Sequence, residues 1–381
     1  MKTPRRILLM YISPVSGHRQ ATMAIETSLK QLIPGVEIMS INGFGYTYPI
    51  LEKVVNQAYM GVIKRTPKLW DLMYDNPKLV KRSAKFKEFL HKSSHKKLES
   101  LFKKFQPDTV VCTQAFPCGM VADFKKTHNI PMTLVGVLTD HAPHRFWLNE
   151  GVDFYVVPSE DARERFIKEG VAPEAICVYG IPIDLKFARR NDKKIIAQKL
   201  GIQLSVPTIL IMGGGQGLGP IKDVVKSLLR SEMNLQLLVL AGTNKKLLKW
   251  LNRIQKKSTK KIIFNDYVTN VDELMEIAAL IISKPGGMTT SEVLAKGLPM
   301  IVINPLPGQE MYNTEFLTRK GAAVYVQDVK EIHQQVEALL RDGQRLKLMS
   351  QAASREGRPR AAEEIARLIL NHPPQLAMRA Y

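Results

Sequence analysis

The sequence offers nothing long and apolar enough to cross a bilayer: no run reaches the roughly 18 residues that a spanning helix needs. Cysteine is scarce. Cys112, Cys118 and Cys177 are an odd set without metal-ligand spacing, so a disulfide framework is not expected and a reducing cytoplasm is. Met1–Arg6 leads straight into an apolar segment and lacks the core and small-residue cleavage site of a secretory leader. No D-x-D motif occurs, so no metal is expected to neutralise a diphosphate here. Acidic residues are also in short supply. Against 55 Lys and Arg stand 35 Asp and Glu, a net charge of +20, which favours a polyanionic partner.

What is present is an alternation of apolar runs and amphipathic stretches. With 381 residues, 45% of them hydrophobic and 24% charged, the chain has the composition and length of two globular domains. Strands are predicted at 5–13, 36–42, 109–114, 132–139, 154–158 and 176–179, with helices near 19–32, 117–128 and 160–169. A second set of strands follows at 208–212, 237–240, 261–264, 280–283, 300–303 and 323–326. The fold class is therefore α/β, in two doubly wound Rossmann-like halves. The polar, basic residues 184–206 read as a linker between domains over 1–183 and 207–355. Residues 356–381 form a C-terminal helix and tail expected to return to the first domain.

The densest cluster of unusual residues is 280–315. Lys284-Pro285-Gly286-Gly287 ends a strand, and the helix after it, 288–296, stops at Gly297. Its first turn carries Thr289, Thr290, Ser291 and Glu292. Free N–H groups at a helix start favour phosphate, and a carboxylate one turn in can accept from a ribose diol. The next strand delivers Pro307-Gly308-Gln309-Glu310 and Asn313, whose amides and carboxylate suit the hydroxyls of a sugar. The loop Gly213–Gly219 offers further backbone amides to a diphosphate or sugar. It contains neither G-x-G-x-x-G nor a Walker A pattern, so a nicotinamide or ATP site is not indicated.

In the first half, Ser16-Gly17-His18-Arg19 lies at a strand end beside a helix start, where open α/β sheets keep their ligands. A helix start lowers an imidazole's pKa and keeps it neutral at pH 7. Thr139-Asp140-His141 and His144 to Trp147 occupy a second such strand end. Asp140, His141 and His144 are too close together, with no fourth ligand, to make a convincing metal site. A carboxylate and an imidazole near a substrate hydroxyl, with Phe146 and Trp147 on an apolar tail, fit better. Between these motifs, 43–105 begins with a glycine-bearing aromatic loop holding Tyr46 and Tyr48, and continues through Tyr59, Trp70, Met73 and Tyr74. Residues 52–104 carry 14 Lys and Arg against 5 Asp and Glu. Basic residues interleaved with aromatics suit an anionic membrane surface. No recognised nucleic-acid module accompanies them, so nucleic acid is not the expected partner.

The Ser16-Gly17-His18-Arg19 loop, K-P-G-G-M-T-T-S-E at 284–292 and P-G-Q-E at 307–310 resemble those of the family 28 glycosyltransferases. The similarity runs from about 7 to 369 and is greatest to monogalactosyldiacylglycerol synthases and processive diacylglycerol glucosyltransferases. The resemblance implies a GT-B fold, two Rossmann-like domains facing a cleft. It also implies inverting transfer of glucose or galactose from UDP-glucose or UDP-galactose to diacylglycerol, at the inner face of the cell membrane. His18 would be the general base, assisted by Asp140. Donor binding would fall to Gly214, Gly215, Gly217, Tyr267, Val268, Gly286, Gly287, Thr289, Glu292, Gln309, Glu310 and Asn313. The acceptor and membrane would meet Tyr46, Tyr48, Trp70, Tyr74, His144 and Trp147. No cofactor and no metal are expected. Where the family has Arg after the G-[IL]-P-[IV] turn, this chain has Asp184, with Lys186 the nearest cation. A lipid-linked N-acetylglucosaminyltransferase of peptidoglycan type and a UDP-N-acetylglucosamine 2-epimerase share the architecture and are the rival readings.

Overall fold

The computed structural model describes residues 5–13, 16–49, 95–141 and 144–372. Trp70 and Tyr74 of the basic-aromatic segment lie outside them. Two compact units divide the chain: Met1–Leu185 with Arg360–Tyr381, and Lys186–Pro359.

Unit 1 is built on six strands: β1 (Arg6–Tyr11), β2 (Glu37–Asn42), β3 (Thr109–Cys112), β4 (Thr133–Val137), β5 (Phe154–Val156) and β6 (Ile176–Cys177). All pair in parallel, in the order β2-β1-β3-β4-β5-β6. Side chains alternate between the two faces of each strand. Ile7, Leu9, Val111, Val135 and Val137 face one core with Ile25 and Leu29 of helix α1 (Gly17–Leu32). Leu8, Met10, Val110, Cys112 and Leu134 face the other, under the helical residues 95–105 (α3) and helix α4 (Ala115–His128). Residues 43–47, expected as loop, instead form a short helix α2 (Gly43–Thr47), because the Asn42 side chain accepts from the Gly45 N–H at 3.0 Å and caps it. Helix α5 (Glu160–Lys168) leads to β6.

Unit 2 repeats the plan with β7 (Thr208–Met212), β8 (Gln236–Leu240), β9 (Lys261–Asn265), β10 (Leu280–Ser283), β11 (Met300–Ile303) and β12 (Ala323–Val326). Their order is β12-β11-β10-β7-β8-β9, again all parallel. Its helices are α6 (Lys193–Leu200), α7 (Ile221–Leu229), α8 (Lys245–Gln255), α9 (Val271–Ile277), α10 (Gly287–Lys296), α11 (Gln309–Arg319), α12 (Ile332–Arg341) and α13 (Gly343–Glu356). Of the stretch 184–206, read above as a linker, residues 186–206 carry α6 and join this unit. Ile196, Ala197 and Ile202 pack there with Ile277.

After unit 2 the chain returns to unit 1 as helix α14 (Ala361–Asn371). Ile365, Ala366, Leu368 and Ile369 share the core of Ile25 and Leu29. The Arg5 guanidinium donates to the Ile369 carbonyl at 2.9 Å.

Each sheet changes winding direction once. In unit 1 the chain steps from β1 to β2 on one side and then to β3 on the other, so the carboxyl ends of β1 and β3 flank the reversal. In unit 2 the same happens between β7 and β10. Loops leaving adjacent strands in opposite directions open a crevice there, which is where open α/β sheets hold ligands.

Candidate active site

At the unit 1 switch point stands His18, in the first turn of α1. Ser16 starts that helix by accepting from the Arg19 N–H at 3.3 Å, while its hydroxyl donates to the Ile12 carbonyl at 2.7 Å. The loop off β1 is thereby pinned, and His18 is delivered to the end of β3. Its Nδ1 lies 2.9 Å from the Thr113 carbonyl and 3.0 Å from Thr139 Oγ1. A carbonyl can only accept, so Nδ1 carries the proton and Nε2 keeps the lone pair. Thr113 also donates from its hydroxyl to the His18 carbonyl at 3.0 Å, and Thr22 donates to that same carbonyl at 3.0 Å. Burial pulls the imidazole down from 6.5 to about 4, against an upward pull from the Thr113 carbonyl. The ring is therefore neutral near pH 7, oriented, and basic at Nε2.

The unit 2 switch point is lined by two turns. Ser283 pairs in register with Met212, so the turns after β10 and β7 leave side by side. The β7 turn folds on itself, with the Gly217 N–H donating to the Gly214 carbonyl at 2.9 Å and the Leu218 N–H to the Gly213 carbonyl at 3.0 Å. Gly217 has φ +58°, and a Cβ there would stand 2.0 Å from the Ala241 carbonyl oxygen. Only glycine fits that position. The N–H groups of Gly215 and Gln216 donate to no main-chain carbonyl among the described residues. The second turn, Lys284–Gly286, opens α10, whose first-turn N–H groups have no partner within the helix. Lys284 Nζ reaches Glu310 at 2.7 Å, and its Cε lies 3.7 Å from a Cβ built on Gly214. The other Glu310 oxygen accepts from the Leu306 N–H at 2.9 Å. The result is a set of oriented donors and one cation beside a fixed carboxylate, suited to a phosphorylated sugar.

Comparison with known proteins agrees with this chemistry. Two family models match: Monogalactosyldiacylglycerol (MGDG) synthase over residues 18–183, and Glycosyltransferase family 28 C-terminal domain over residues 208–365. The chain is 31% identical over 376 residues to the processive diacylglycerol beta-glucosyltransferase of Bacillus cereus (strain AH187), covering 98% of this chain and 95% of that one. It belongs to glycosyltransferase family 28. The same identity and coverage hold for the enzyme of that name from Bacillus mycoides (strain KBAB4). Among solved structures, this family 28 chain resembles MurG of Acinetobacter baumannii, with a TM-score of 0.66, 16% identity and coverage of 97% of this chain and 100% of that one. A UDP-GlcNAc 2-epimerase from Neisseria meningitidis gives 0.61 at 15% identity, over 96% and 100%. At those identities the likeness shows the fold, GT-B, and no more. The peptidoglycan and epimerase readings accordingly lose ground to the diacylglycerol one.

Several expected site residues stand at the two switch points. Gly214, Gly215 and Gly217 form the β7 turn, and Gly286 and Gly287 open α10. Thr289 and Glu292 follow on that helix, both half-buried. Gln309 begins α11, half-buried. Tyr267 is 56% exposed with its ring edge 3.6 Å from a Cβ built on Gly215, so the ring is open to a planar partner; Val268 follows it, half-buried. Lys186 donates to the Thr269 carbonyl at 2.5 Å, which puts a cation beside this loop although position 184 is acidic.

Three expectations need correcting. Asn313 is fully buried and donates to the Pro285 carbonyl at 2.9 Å, so it braces the turn instead of facing a sugar. Glu310 is 9% exposed with both oxygens engaged. Trp147 is 4% exposed within the unit 1 core, where its carbonyl accepts from the Tyr155 hydroxyl at 2.9 Å; it is core, not lipid contact. His144 and Asp140 are half-buried, Tyr46 is exposed, and Tyr48 packs on the core beside Phe44. Among the described residues no group of His, Cys, Asp and Glu is placed to hold a metal, and no helix is long and apolar enough to cross a membrane. The sequence reading missed Thr113 and Lys284 as site residues. Lys284 could have been found as the only cation at a strand end in its motif; Thr113 could not, because its role depends on β3 lying beside β1.

Proposed function

We propose that this family 28 enzyme transfers a hexose from a UDP-sugar to the free hydroxyl of diacylglycerol, with inversion, in one displacement. The end-to-end likeness to enzymes named processive diacylglycerol beta-glucosyltransferase supports the acceptor class, and the state of His18 carries the mechanism. Its Nε2 accepts the acceptor's proton as the hydroxyl oxygen bonds to the anomeric carbon. The bond from that carbon to the UDP oxygen breaks, and UDP departs with the electron pair. The α10 N-terminus, the β7-turn amides and Lys284 offset the charge that develops on the leaving diphosphate. Glu292 accepts from the ribose, Gln309 reads the sugar, and Glu310 holds Lys284 and the Leu306 N–H in place. Fixed donors and Lys284 make a metal unnecessary. The protein works on the inner face of the cell membrane, where the basic residues of 52–104 meet anionic phospholipid.

The test is transfer from labelled UDP-glucose and UDP-galactose to diacylglycerol in mixed detergent micelles, with and without EDTA. The expected result is lipid-borne label from one donor, unaffected by EDTA and reduced ~10²–10⁴-fold in His18→Ala. Label in no lipid product, or transfer abolished by EDTA, overturns the corresponding part of the reading.

A further inference from the structure

The charge of +20 is unevenly placed. Residues 52–104 hold an excess of nine cations, and residues 221–261 hold another: eleven Lys and Arg against Asp223 and Glu232. The remainder of the chain contributes only +2. The second block lies wholly within unit 2, on α7, α8, the turns that follow these two helices and the first residue of β9, the edge strand. Both helices join successive parallel strands in one direction. Right-handed crossovers therefore put them on the same face, and their buried residues share one core cluster.

Helix α8 concentrates the charge. At about 100° per residue, Lys245, Lys246, Lys249, Arg253 and Lys256 fall within an arc of about 100°, opposite the buried Leu247 and Leu251. All five are exposed. The only ion pair of this block among the described residues is Lys226 with Asp223 on α7, at 3.5 Å. Beside the stripe stands Trp250, half-buried, with Lys222 Nζ 5.9 Å from its ring centroid. A solvated helix face normally mixes both signs. Five unbalanced cations in one stripe repel one another until an extended array of anions faces them. One half-buried aromatic provides no stacking platform for bases.

We infer that the α8 stripe, with Lys222 and Lys226 of α7, is a docking surface on unit 2 for an anionic lipid bilayer. The choice of bilayer rests on the lipid acceptor proposed above. The stripe belongs to unit 2 and shares no residue with the basic segment 52–104, so unit 2 makes its own contact with the membrane.

The full-length protein is sedimented with phosphatidylcholine vesicles, with and without phosphatidylglycerol, as wild type and as Lys245→Gln/Lys249→Gln/Arg253→Gln. A control keeps the charges as Lys245→Arg/Lys249→Arg/Arg253→Lys. Each cation near an anionic leaflet contributes about fivefold in partition, so the triple glutamine variant should bind anionic vesicles at least tenfold more weakly while the control binds as wild type. A smaller fall overturns the proposal, as does an equal loss in the control. Binding of a homopolymer RNA that matches wild-type vesicle binding and vanishes in the same variant also overturns it, in favour of nucleic acid. Transfer to diacylglycerol in detergent micelles is measured in parallel. Its absence in the wild type counts against the acceptor, whereas its presence with unchanged vesicle binding counts against the surface alone.

Discussion

His18 is kept neutral by its surroundings, and titration measures how firmly. The step from 6.5 down to about 4 corresponds to ~3 kcal/mol against the imidazolium. The unfolded chain therefore takes up the proton first as pH falls. Relative stability from this site is complete above the unfolded value of 6.5, declines as pH falls towards 4, and is lower by ~3 kcal/mol beyond that point. The assay is NMR of the imidazole C–H groups, with the His18 signal assigned by its loss in His18→Gln. It should stay flat down to about pH 5, well below the 6.5 of a free imidazole. The acid limb of kcat/KM should likewise begin only below about pH 5. A His18 transition above about pH 6 would show that burial does not control this ring, and would refute the argument for a preset neutral base.

Gly217→Ala should weaken UDP binding by calorimetry at least about tenfold, because its Cβ would meet the Ala241 carbonyl at 2.0 Å and the turn must move. Gly219→Ala, equally left-handed at φ +97° but with no atom within 4 Å, should cost much less. Lys284→Met should raise the donor KM roughly tenfold or more, the worth of a charged hydrogen bond, while Lys284→Arg recovers part of it. Lys296 and Glu276 form a buried pair at 2.8 Å, with Lys296 also donating to the Arg189 carbonyl at 2.6 Å. Lys296→Met should destabilise unit 2 in urea by about 3–5 kcal/mol, and adding Glu276→Leu should restore part of that.

The alternation of sheets and helices was legible because parallel strands covered on both faces must be near-continuous apolar runs, as β3, β4, β7 and β8 are after a first Thr or Gln. The glycine turns and His18 were legible as strand-end residues. Strand order was not, and with it went Thr113, which reaches His18 across 95 positions of sequence. Trp147 misled because an aromatic in a loop reads the same whether it points inward or outward. Asn313 misled because an amide that braces a turn carries the same atoms as one that reads a sugar. The helix Gly43–Thr47 was hidden by its two glycines, whose low helix propensity is overcome by the Asn42 cap.

Helix α14 has a consequence for the order in which the protein can form. One core of the first sheet takes Ile7, Leu9, Ile25 and Leu29 from near the start of the chain, and Ile365, Leu368 and Ile369 from more than 300 residues later. During synthesis the second sheet, contiguous over Lys186–Pro359, has all its partners before the first does. The opening β1–α1 unit, though made earliest, waits with an uncovered apolar face until α14 arrives, so the half that emerges first is the half that finishes last.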